Sequence, residues 1–311
     1  MLKLEYIVIG ELPERQESYL NENLSADGSP CGRIVKLCDG ESEDGGKLNY
    51  NYIFEAVLPS YCLPQECLLI SGNDAQLAWA GRLNMASIAY LSPEKLGECE
   101  ASQTAGRQED GCRSDLYAEG FEEVDWTFLR RVYERHHGIP WLICETERCV
   151  IKEFSMEYLD ELFAMYAGEG MTDYIEPLYD YEEEREYQQA YISRVYPFYG
   201  YGMWIVCEKK TGRLIGRAGV EMREELEGEL ELGYAVGVPY QRQGYAAEVC
   251  AAIISYVKKE LGQDRLNCLI EEGNTVSEHF AKRLGFSFLE CLTIEKKRMK
   301  RYVLALTQTD E

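Results

Sequence analysis

The chain has 311 residues, a length that favours two domains of about 100 to 200 residues each. Hydrophobic residues make up 46% and charged residues 28% of the sequence, which excludes a wholly disordered, collagen-like or coiled-coil protein. The formal net charge of −23 would repel nucleic acids and anionic membranes, so we predict neither as a partner. A cationic substrate such as an amine fits this charge better, although solubility alone would also explain it.

The N-terminal sequence MLKLEYIVIG lacks the basic flank and the cleavage site of a signal peptide. Apolar runs stay far below the roughly 18 to 20 residues of a spanning helix. We therefore expect a cytoplasmic protein whose twelve cysteines are reduced. The sequence has no CxxC pair and only three histidines, so no metal site is expected.

The N-terminal half alternates strand and helix signals between two polar stretches. Residues 21–47 and 97–114 are rich in glycine and polar residues, and we predict exposed loops there. Between them, a strand at 67–72, a helix capped by Asn73 and a strand at 85–91 form a predicted βαβ unit. This alternation predicts a parallel α/β domain.

A helix over residues 124–137 completes this half. Gly138 and Pro140 end the helix, so we place a domain boundary near residue 140, with predicted domains at 1–140 and 141–311. The helix is predicted to bury one face, formed by Val124, Phe128, Leu129 and Val132.

The segment from about residue 66 to 133 resembles the closing half of a haloacid dehalogenase-like domain. That family's chemistry depends on a nucleophilic DxDxT loop after the first strand, but here the first strand runs YIVIGELPERQ without an aspartate. Asp74 falls near the family's acidic magnesium-binding position, and we read it as a first-turn acid that favours the helix dipole. The resemblance therefore implies a degenerate, non-catalytic domain, with hydrolase activity as the alternative.

The C-terminal half is denser in strand and helix signals. In chain order we predict a strand at 149–154, a helix capped by Ser155, a helix at 183–196, a hairpin that turns at 210–213, a strand at 228–238 and a helix from Ala246. Nine tyrosines fall between Tyr166 and Tyr201; they would line an acceptor pocket or pack in the core, and we favour packing.

The strand at 228–238 and the helix after it carry the candidate chemistry. Alternation places Glu229 and Glu231 on one face of the strand. Gly244 then forms a tight turn before the helix, where unpaired N–H groups and the helix dipole favour a pyrophosphate. The same pattern also occurs in an ordinary turn without a ligand.

Two motifs in this half resemble those of the GCN5-related N-acetyltransferases (GNAT). Residues 241–246, QRQGYA, match the family's (Q/R)xxGx(G/A) signature, and residues 274–286, NTVSEHFAKRLGF, match its closing helix. The resemblance spans about residues 148 to 305 and leans toward the RimJ/RimL-like branch. It implies a mixed, splayed central sheet flanked by helices, acetyl-CoA as co-substrate and an amine acceptor.

The resemblance also implies roles for individual residues. Glu231 matches the family's general base, although it would alternatively serve only as an acidic liner of the acceptor groove. Ala281 replaces the tyrosine that protonates the leaving thiolate in many members, so Ser277 is the candidate donor, or simply a helix serine. Asn274 either caps its helix or contacts coenzyme A. Coenzyme A is expected at Val236, Val238, Gln241, Arg242, Gln243, Gly244, Tyr245, Ala246, Ala247 and Asn274.

Together these features predict a cytoplasmic acetyl-CoA-dependent N-acetyltransferase. The acceptor would be a primary amine of a small molecule or of a protein N-terminus, attacking the thioester directly. A non-catalytic acetyl-CoA sensor is the main alternative. The sequence leaves the identity of the acceptor and the oligomeric state open.

Overall fold

The computed structural model describes residues 3–26, 33–37, 62–93 and 114–306. The chain divides into two compact units, Met1–Ile139 and Pro140–Glu311. None of the helices in the described ranges has the length and apolarity that a membrane-spanning segment requires.

The N-terminal unit is built on a five-stranded parallel sheet. Its strands are β1 (Tyr6–Ile9), β2 (Arg33–Lys36), β3 (Cys67–Ser71), β4 (Ala86–Tyr90) and β5 (Leu116–Ala118), and its helices are α1 (Glu14–Ala26), α2 (Asp74–Arg82) and α3 (Trp126–His136). The strand order is β2-β1-β3-β4-β5, and every pairing is parallel. Strands β1, β3 and β4 are buried along their whole length, because apolar clusters cover both faces of the sheet. The predicted parallel α/β architecture is confirmed.

The prediction of a loop at residues 21–47 is wrong for two parts of that stretch. Helix α1 continues to Ala26, and residues 33–36 form β2. The polar composition of this stretch does not reveal the tertiary contacts that stabilise the helix. Leu20 is fully buried, and the Asn23 side chain donates to the Phe121 carbonyl at 3.1 Å. The other predicted loop, at 97–114, lies almost wholly outside the described residues.

Three of the four residues predicted to form the buried face of helix α3 are buried, namely Val124, Leu129 and Val132, and the prediction is wrong for Phe128. Phe128 is 36% exposed, whereas Trp126 and Tyr133 join Leu129 and Val132 in the core. The Tyr133 hydroxyl donates to the Gln65 carbonyl at 2.7 Å, a tertiary contact that the helical period alone does not predict.

The C-terminal unit is built on an eight-stranded mixed sheet of order β12-β13-β11-β10-β9-β8-β7-β6. Its strands are β6 (Leu142–Glu145), β7 (Cys149–Lys152), β8 (Met203–Glu208), β9 (Leu214–Met222), β10 (Leu230–Val236), β11 (Arg265–Glu271), β12 (Ser287–Ile294) and β13 (Lys297–Ala305). Its helices are α4 (Leu159–Tyr166), α5 (Tyr181–Ala190), α6 (Tyr196–Tyr199), α7 (Tyr245–Lys259) and α8 (Thr275–Arg283), and a π-helical segment, Tyr191–Val195, joins α5 to α6. This is the mixed sheet flanked by helices that the sequence predicts.

Helices cover both faces of this sheet. On one face, Tyr256 of α7 packs against Trp204 of β8 at 5.5 Å between ring centroids. Trp204 pairs with Ala218, so the side chain of Glu221, three residues further along β9, points to the other face. There the Tyr191 hydroxyl donates to Glu221 at 2.8 Å. The tyrosine-rich segment therefore covers the face opposite to α7.

The prediction that Ser155 caps the first helix of this unit is wrong. Ser155 makes no capping hydrogen bond, and its hydroxyl donates to the Glu157 carboxylate at 3.1 Å. A 3₁₀ turn, Met156–Tyr158, precedes α4, so the serine is four residues away from the start of the α-helix.

Candidate active site

The turn before α7 leaves backbone N–H groups open at the helix N-terminus. Gly244 adopts φ +86°, a left-handed conformation that favours glycine, and no side chain caps the helix. The helix begins at Tyr245, one residue before the predicted start at Ala246. A Cβ atom placed on Gly244 would have only the Arg148 guanidinium within 4 Å. The turn is therefore an open cradle with the positive end of a helix dipole beneath it.

Two glutamine side chains brace this turn. Gln241 Nε2 donates to the Val236 carbonyl at 2.9 Å, and Gln243 Nε2 donates to the Pro239 carbonyl at 2.6 Å. Between them, Arg242 has φ +58° and an exposed side chain. The side chains of the motif thus hold the turn's own backbone, while its N–H groups remain available to a ligand.

Arg148 adds a fixed positive charge to the cradle. Its Nη1 donates to the Gln243 carbonyl at 3.0 Å, and its guanidinium lies 4.1 Å from the Tyr245 ring centroid. Glu248 in the first turn of α7 orients it through a 2.6 Å contact with Nε. An arginine held beside open N–H groups favours a phosphate at this position.

A gap opens in the sheet between β10 and β11. The two strands are parallel and pair only at Glu231 and Asn267, although β10 continues to Val236. Burial departs from the predicted alternation along this stretch, because Ala235 is buried whereas Tyr234 is only partly so. The gap leads from the middle of the sheet toward the cradle at α7.

A groove with a volume of about 610 Å³ lies beside the end of β10. Helix α4 and β9 form its other walls. Its lining includes Glu161, Met165, Gly168, Ile215, Val238 and Tyr240.

Glu231 is a buried carboxylate at the start of the gap. Its side chain is 11% exposed, and Oε2 lies 2.5 Å from Nε of Arg223. The Leu269 N–H donates to Oε1 at 3.3 Å. Burial raises the pKa of Glu231 above its ordinary value, and the Arg223 guanidinium opposes this shift.

Glu229 belongs to a separate ion-pair network. It contacts Arg265 and Arg301 at 2.9 Å each and accepts from Asn267 Nδ2 at 2.8 Å. Burial acts to raise the pKa of Glu229, but the Asn267 hydrogen bond and the two guanidinium groups outweigh it, so this pKa is lowered. Neither Glu229 nor Glu231 is among the main causes of the other's pKa shift.

The neighbouring carboxylate of Glu231 lies on the adjacent strand instead. Glu221 of β9 is its paired residue, and the Glu221 charge contributes to the raised pKa of Glu231. Cross-strand partners lie closer together than residues two apart on one strand.

Asn274 and Ser277 lie together at the start of α8. The Asn274 side chain accepts from the Ser277 N–H at 3.1 Å, so Asn274 caps the helix. The Ser277 side chain lies beside the buried Tyr234 hydroxyl and acts to lower the pKa of Tyr234. Burial raises the pKa of Tyr234, and Ala281 is buried in the core.

The N-terminal unit has a smaller groove, of about 350 Å³, at the carboxyl ends of β1, β3 and β4. Glu11, Gly72 and Tyr90 contribute to its lining. The Glu11 carboxylate accepts from Asn73 Nδ2 at 2.8 Å, while Asp74 occupies the first turn of α2. No aspartate follows β1, as the sequence already indicates.

The acetyltransferase (GNAT) domain family matches residues 148–287. The C-terminal half of the chain is a GNAT acetyltransferase domain. The uncharacterized N-acetyltransferase YoaA of Bacillus subtilis is 25% identical over 150 residues, which cover 46% of this chain and 82% of that protein. The uncharacterized N-acetyltransferase p20 of Bacillus licheniformis is 27% identical over 143 residues, covering 45% and 80% respectively. A GNAT-family acetyltransferase structure from Bordetella pertussis is 23% identical, covers 52% of this chain and 98% of its own, and has a TM-score of 0.46.

The GNAT domain is an acyltransferase whose family uses acetyl-CoA, and the residues present fit that donor. The open N–H groups at Gly244 and Tyr245 suit a pyrophosphate, and Arg148 supplies a counter-charge. Because β10 and β11 pair only at Glu231 and Asn267, the edge of β10 near Val236 is not paired with β11. No group of three or more potential metal ligands occurs within the described ranges.

Sequence reasoning missed three residues that the GNAT domain brings to this region. Arg148 precedes Gln243 by 95 residues, and Arg223 precedes Glu231 by eight in a different element. The sequence motifs assign no role to Tyr234. No local sequence pattern marks these three residues, because their partners lie in other elements of the fold.

Proposed function

We propose that the GNAT domain transfers an acetyl group from acetyl-CoA to a primary amine of a small molecule or a protein N-terminus. The main support is the pairing of an open cradle at Gly244 with a buried carboxylate at Glu231, at opposite ends of one gap in the sheet. Bound acetyl-CoA would supply an activated acyl group.

Donor binding is assigned to the backbone from Gln243 to Ala247 and near Val236 and Val238. The N–H groups of the first α7 turn would bind the pyrophosphate, with Arg148 completing the site. A backbone N–H near Val236 would stabilise the thioester oxygen as negative charge develops on it.

Glu231 is assigned as the general base. The acceptor must reach the thioester as a neutral amine, and a carboxylate with a raised pKa accepts a proton better than an ordinary glutamate does. The amine nitrogen forms a bond to the carbonyl carbon while the carbon–sulfur bond breaks. Glu231 takes the proton that the amine loses, directly or through water.

Ser277 is assigned as the group that returns a proton to the departing thiolate, and it then regains a proton from solvent. Its hydroxyl lies beside the buried Tyr234 hydroxyl, which keeps its proton because burial raises its pKa. Tyr234 would donate a hydrogen bond to Ser277 and thereby support this transfer.

The finer family relationships are also proposals. Ser277 follows Asn274 by three positions, as in the RimJ/RimL-like branch. The N-terminal unit is proposed to be a degenerate haloacid dehalogenase-like scaffold, supported by its parallel sheet and by the absence of an aspartate after β1.

The test is a screen of primary amines with acetyl-CoA, read as release of free thiol. For an accepted amine, Glu231→Gln should lower kcat by about 10²- to 10⁴-fold while acetyl-CoA affinity stays nearly unchanged. Glu229→Gln is the matched control, since this carboxylate lies two residues away but is held by Arg265 and Arg301.

Two results would contradict the proposal in different ways. If the wild-type protein binds acetyl-CoA but acetylates no amine, the domain is a sensor. If Glu231→Gln retains near-normal kcat, Glu231 lines the groove and another group or a water molecule is the base.

A further inference from the structure

Arg217 is a buried cation in the middle of the sheet. It lies on β9 opposite Ala235 of β10, on the face covered by the tyrosine-rich segment. The residue is 9% exposed, in a chain whose net charge is −23. Ala235 directly precedes Val236, so Arg217 lies beside the part of β10 assigned to the thioester.

Among the residues that the structure describes, no carboxylate forms an ion pair with this guanidinium. Its Nε is buried without a hydrogen bond, although the guanidinium interacts with the Tyr166 side chain through a hydrogen bond and with Tyr191 and Tyr196 electrostatically. Every other buried or half-buried arginine described above, such as Arg223 and Arg301, forms an ion pair. An unpaired buried charge costs free energy, and a ligand anion would remove that cost.

The guanidinium stays charged in this environment. Burial acts to lower the pKa of Arg217, but the surrounding tyrosine oxygens raise it, so the net direction is upward. Tyrosine hydroxyls do not neutralise a cation, because their own protons remain bound at neutral pH. The positive charge is therefore unbalanced.

The tyrosine cluster around Arg217 borders on solvent. Tyr166 is partly exposed, and Tyr187, whose hydroxyl experiences the Arg217 charge, is 42% exposed. The helix that carries Tyr187 continues into the π-helical segment Tyr191–Val195, a distortion that often accompanies binding sites. A small molecule would approach Arg217 past these two rings.

An acidic region lies on the same face of the sheet. Glu221 is four residues from Arg217 on β9, a Cα separation of about 13 Å, and Glu221 pairs with Glu231. Positive charge at one end and carboxylates at the other match a molecule that carries a carboxylate and an amine. The amine end would then lie toward Glu231.

We infer that Arg217 binds the carboxylate of the acceptor, so that the GNAT domain selects amino acids and related amino carboxylates. The inference rests on the proposed acetyl transfer and assigns its substrate class. A guanidinium binds a carboxylate through two parallel hydrogen bonds, a geometry that an amide or an ester on the same acceptor would not reproduce.

The experiment compares matched acceptors. The standard amino acids and a series of ω-amino acids are supplied as free acids and as carboxamides, and kcat/KM is measured from thiol release with acetyl-CoA. Wild-type protein should prefer the free acid by about 10-fold or more. Arg217→Met should lower kcat/KM for the acids by about 10- to 100-fold, mainly through KM, and leave the carboxamides nearly unchanged.

A purely structural role for Arg217 gives a different pattern. If the arginine only supports the tyrosine cluster, Arg217→Met lowers activity on acids and carboxamides alike, which overturns the inference. Equal or better wild-type activity on the carboxamides overturns it as well. Arg217→Lys keeps the charge but loses the paired geometry, so the acid preference should fall only in part.

A measurement on the wild type alone covers the case in which the variants do not fold. Carboxylic acids that lack the amine should inhibit competitively against the acceptor, whereas their carboxamides should not. If no amine is acetylated, the proposed function fails. Whether Arg217 binds a carboxylate is then tested separately, by calorimetry of the same acids with the CoA-bound protein. Absence of that binding overturns it.

Discussion

The ion pair between Arg223 and Glu231 gives a direct way to shift the pH dependence of the proposed reaction. Replacing Arg223 by glutamine removes the positive charge that lies 2.5 Å from the carboxylate. Burial and the Glu221 charge then still raise the pKa of Glu231, and the hydrogen bond from the Leu269 N–H remains to lower it. Because a base must be deprotonated to act, a higher pKa extends the inactive range upward in pH.

The structure sets the size of this shift. An opposite charge in contact lowers a carboxyl pKa by about 1 to 3 units. The Arg223 side chain is 44% exposed, so solvent screens part of the interaction, and we expect the low end of that range. The acidic limb of the kcat/KM profile should therefore move up by about 1 unit, equivalent to about 1.4 kcal/mol.

The assay measures kcat/KM for one accepted amine between about pH 5 and 10 in both proteins. The acceptor's own titration is identical in the two series, so a difference between the curves belongs to the enzyme. Arg265→Gln is the matched control, because Arg265 pairs with Glu229 at 2.9 Å and has a comparable exposure of 53%. Arg265→Gln should leave the acidic limb of the kcat/KM profile at the wild-type pH.

An unchanged acidic limb in Arg223→Gln, with a normally folded protein, would refute the reasoning. It would mean that the titrating group is not Glu231. A shift to lower pH would be equally damaging, since removing a cation cannot stabilise the carboxylate.

Two further outcomes follow from the cradle and from the N-terminal unit. Gly244→Val should abolish acetyl-CoA binding in calorimetry, because a β-branched side chain is strained at φ +86° and blocks the turn. Gly212→Val is the control and should retain binding, since Gly212 has φ +72° in a hairpin without nearby atoms. Equal affinities for all three proteins would contradict the proposal that the turn at Gly244 binds coenzyme A. The full chain should release no phosphate from generic phosphomonoesters with Mg²⁺, since no aspartate follows β1, and turnover that disappears in Asp74→Asn would contradict the scaffold assignment.

Local signals in the sequence predicted the main elements well. The run from 67 to 72 and the cap at Asn73 are confirmed, because a buried strand and an N-cap depend on adjacent residues. The glycine turn at Gly244 and the helix after it are found where the motif indicates. Each of these features needs only a short window of sequence.

Features that depend on distant partners were not predictable in this way. Arg148 reaches the cradle across 95 residues, and the network around Glu229 joins β10 to β11 and β13. Strand alternation predicts Glu229 and Glu231 on one face, but Glu229 precedes β10, and alternation does not show that Arg265 and Arg301 hold it in a separate ion-pair network. Ser155 has the residue type of a cap, yet a 3₁₀ turn intervenes before α4.

Because β10 and β11 pair at a single position, part of each strand edge is open to hydrogen bonding with a ligand. Beyond Glu231 and Asn267, the backbone groups of β10 and β11 that face each other form no ladder of hydrogen bonds in the described sheet. The Leu269 N–H of β11 donates to the Glu231 side chain instead. A bound chain with amide groups of its own would act as an intervening strand there. The donor and Glu231 would then both be positioned by β10. The distance between them would therefore be set by the regular rise of the strand rather than by a loop.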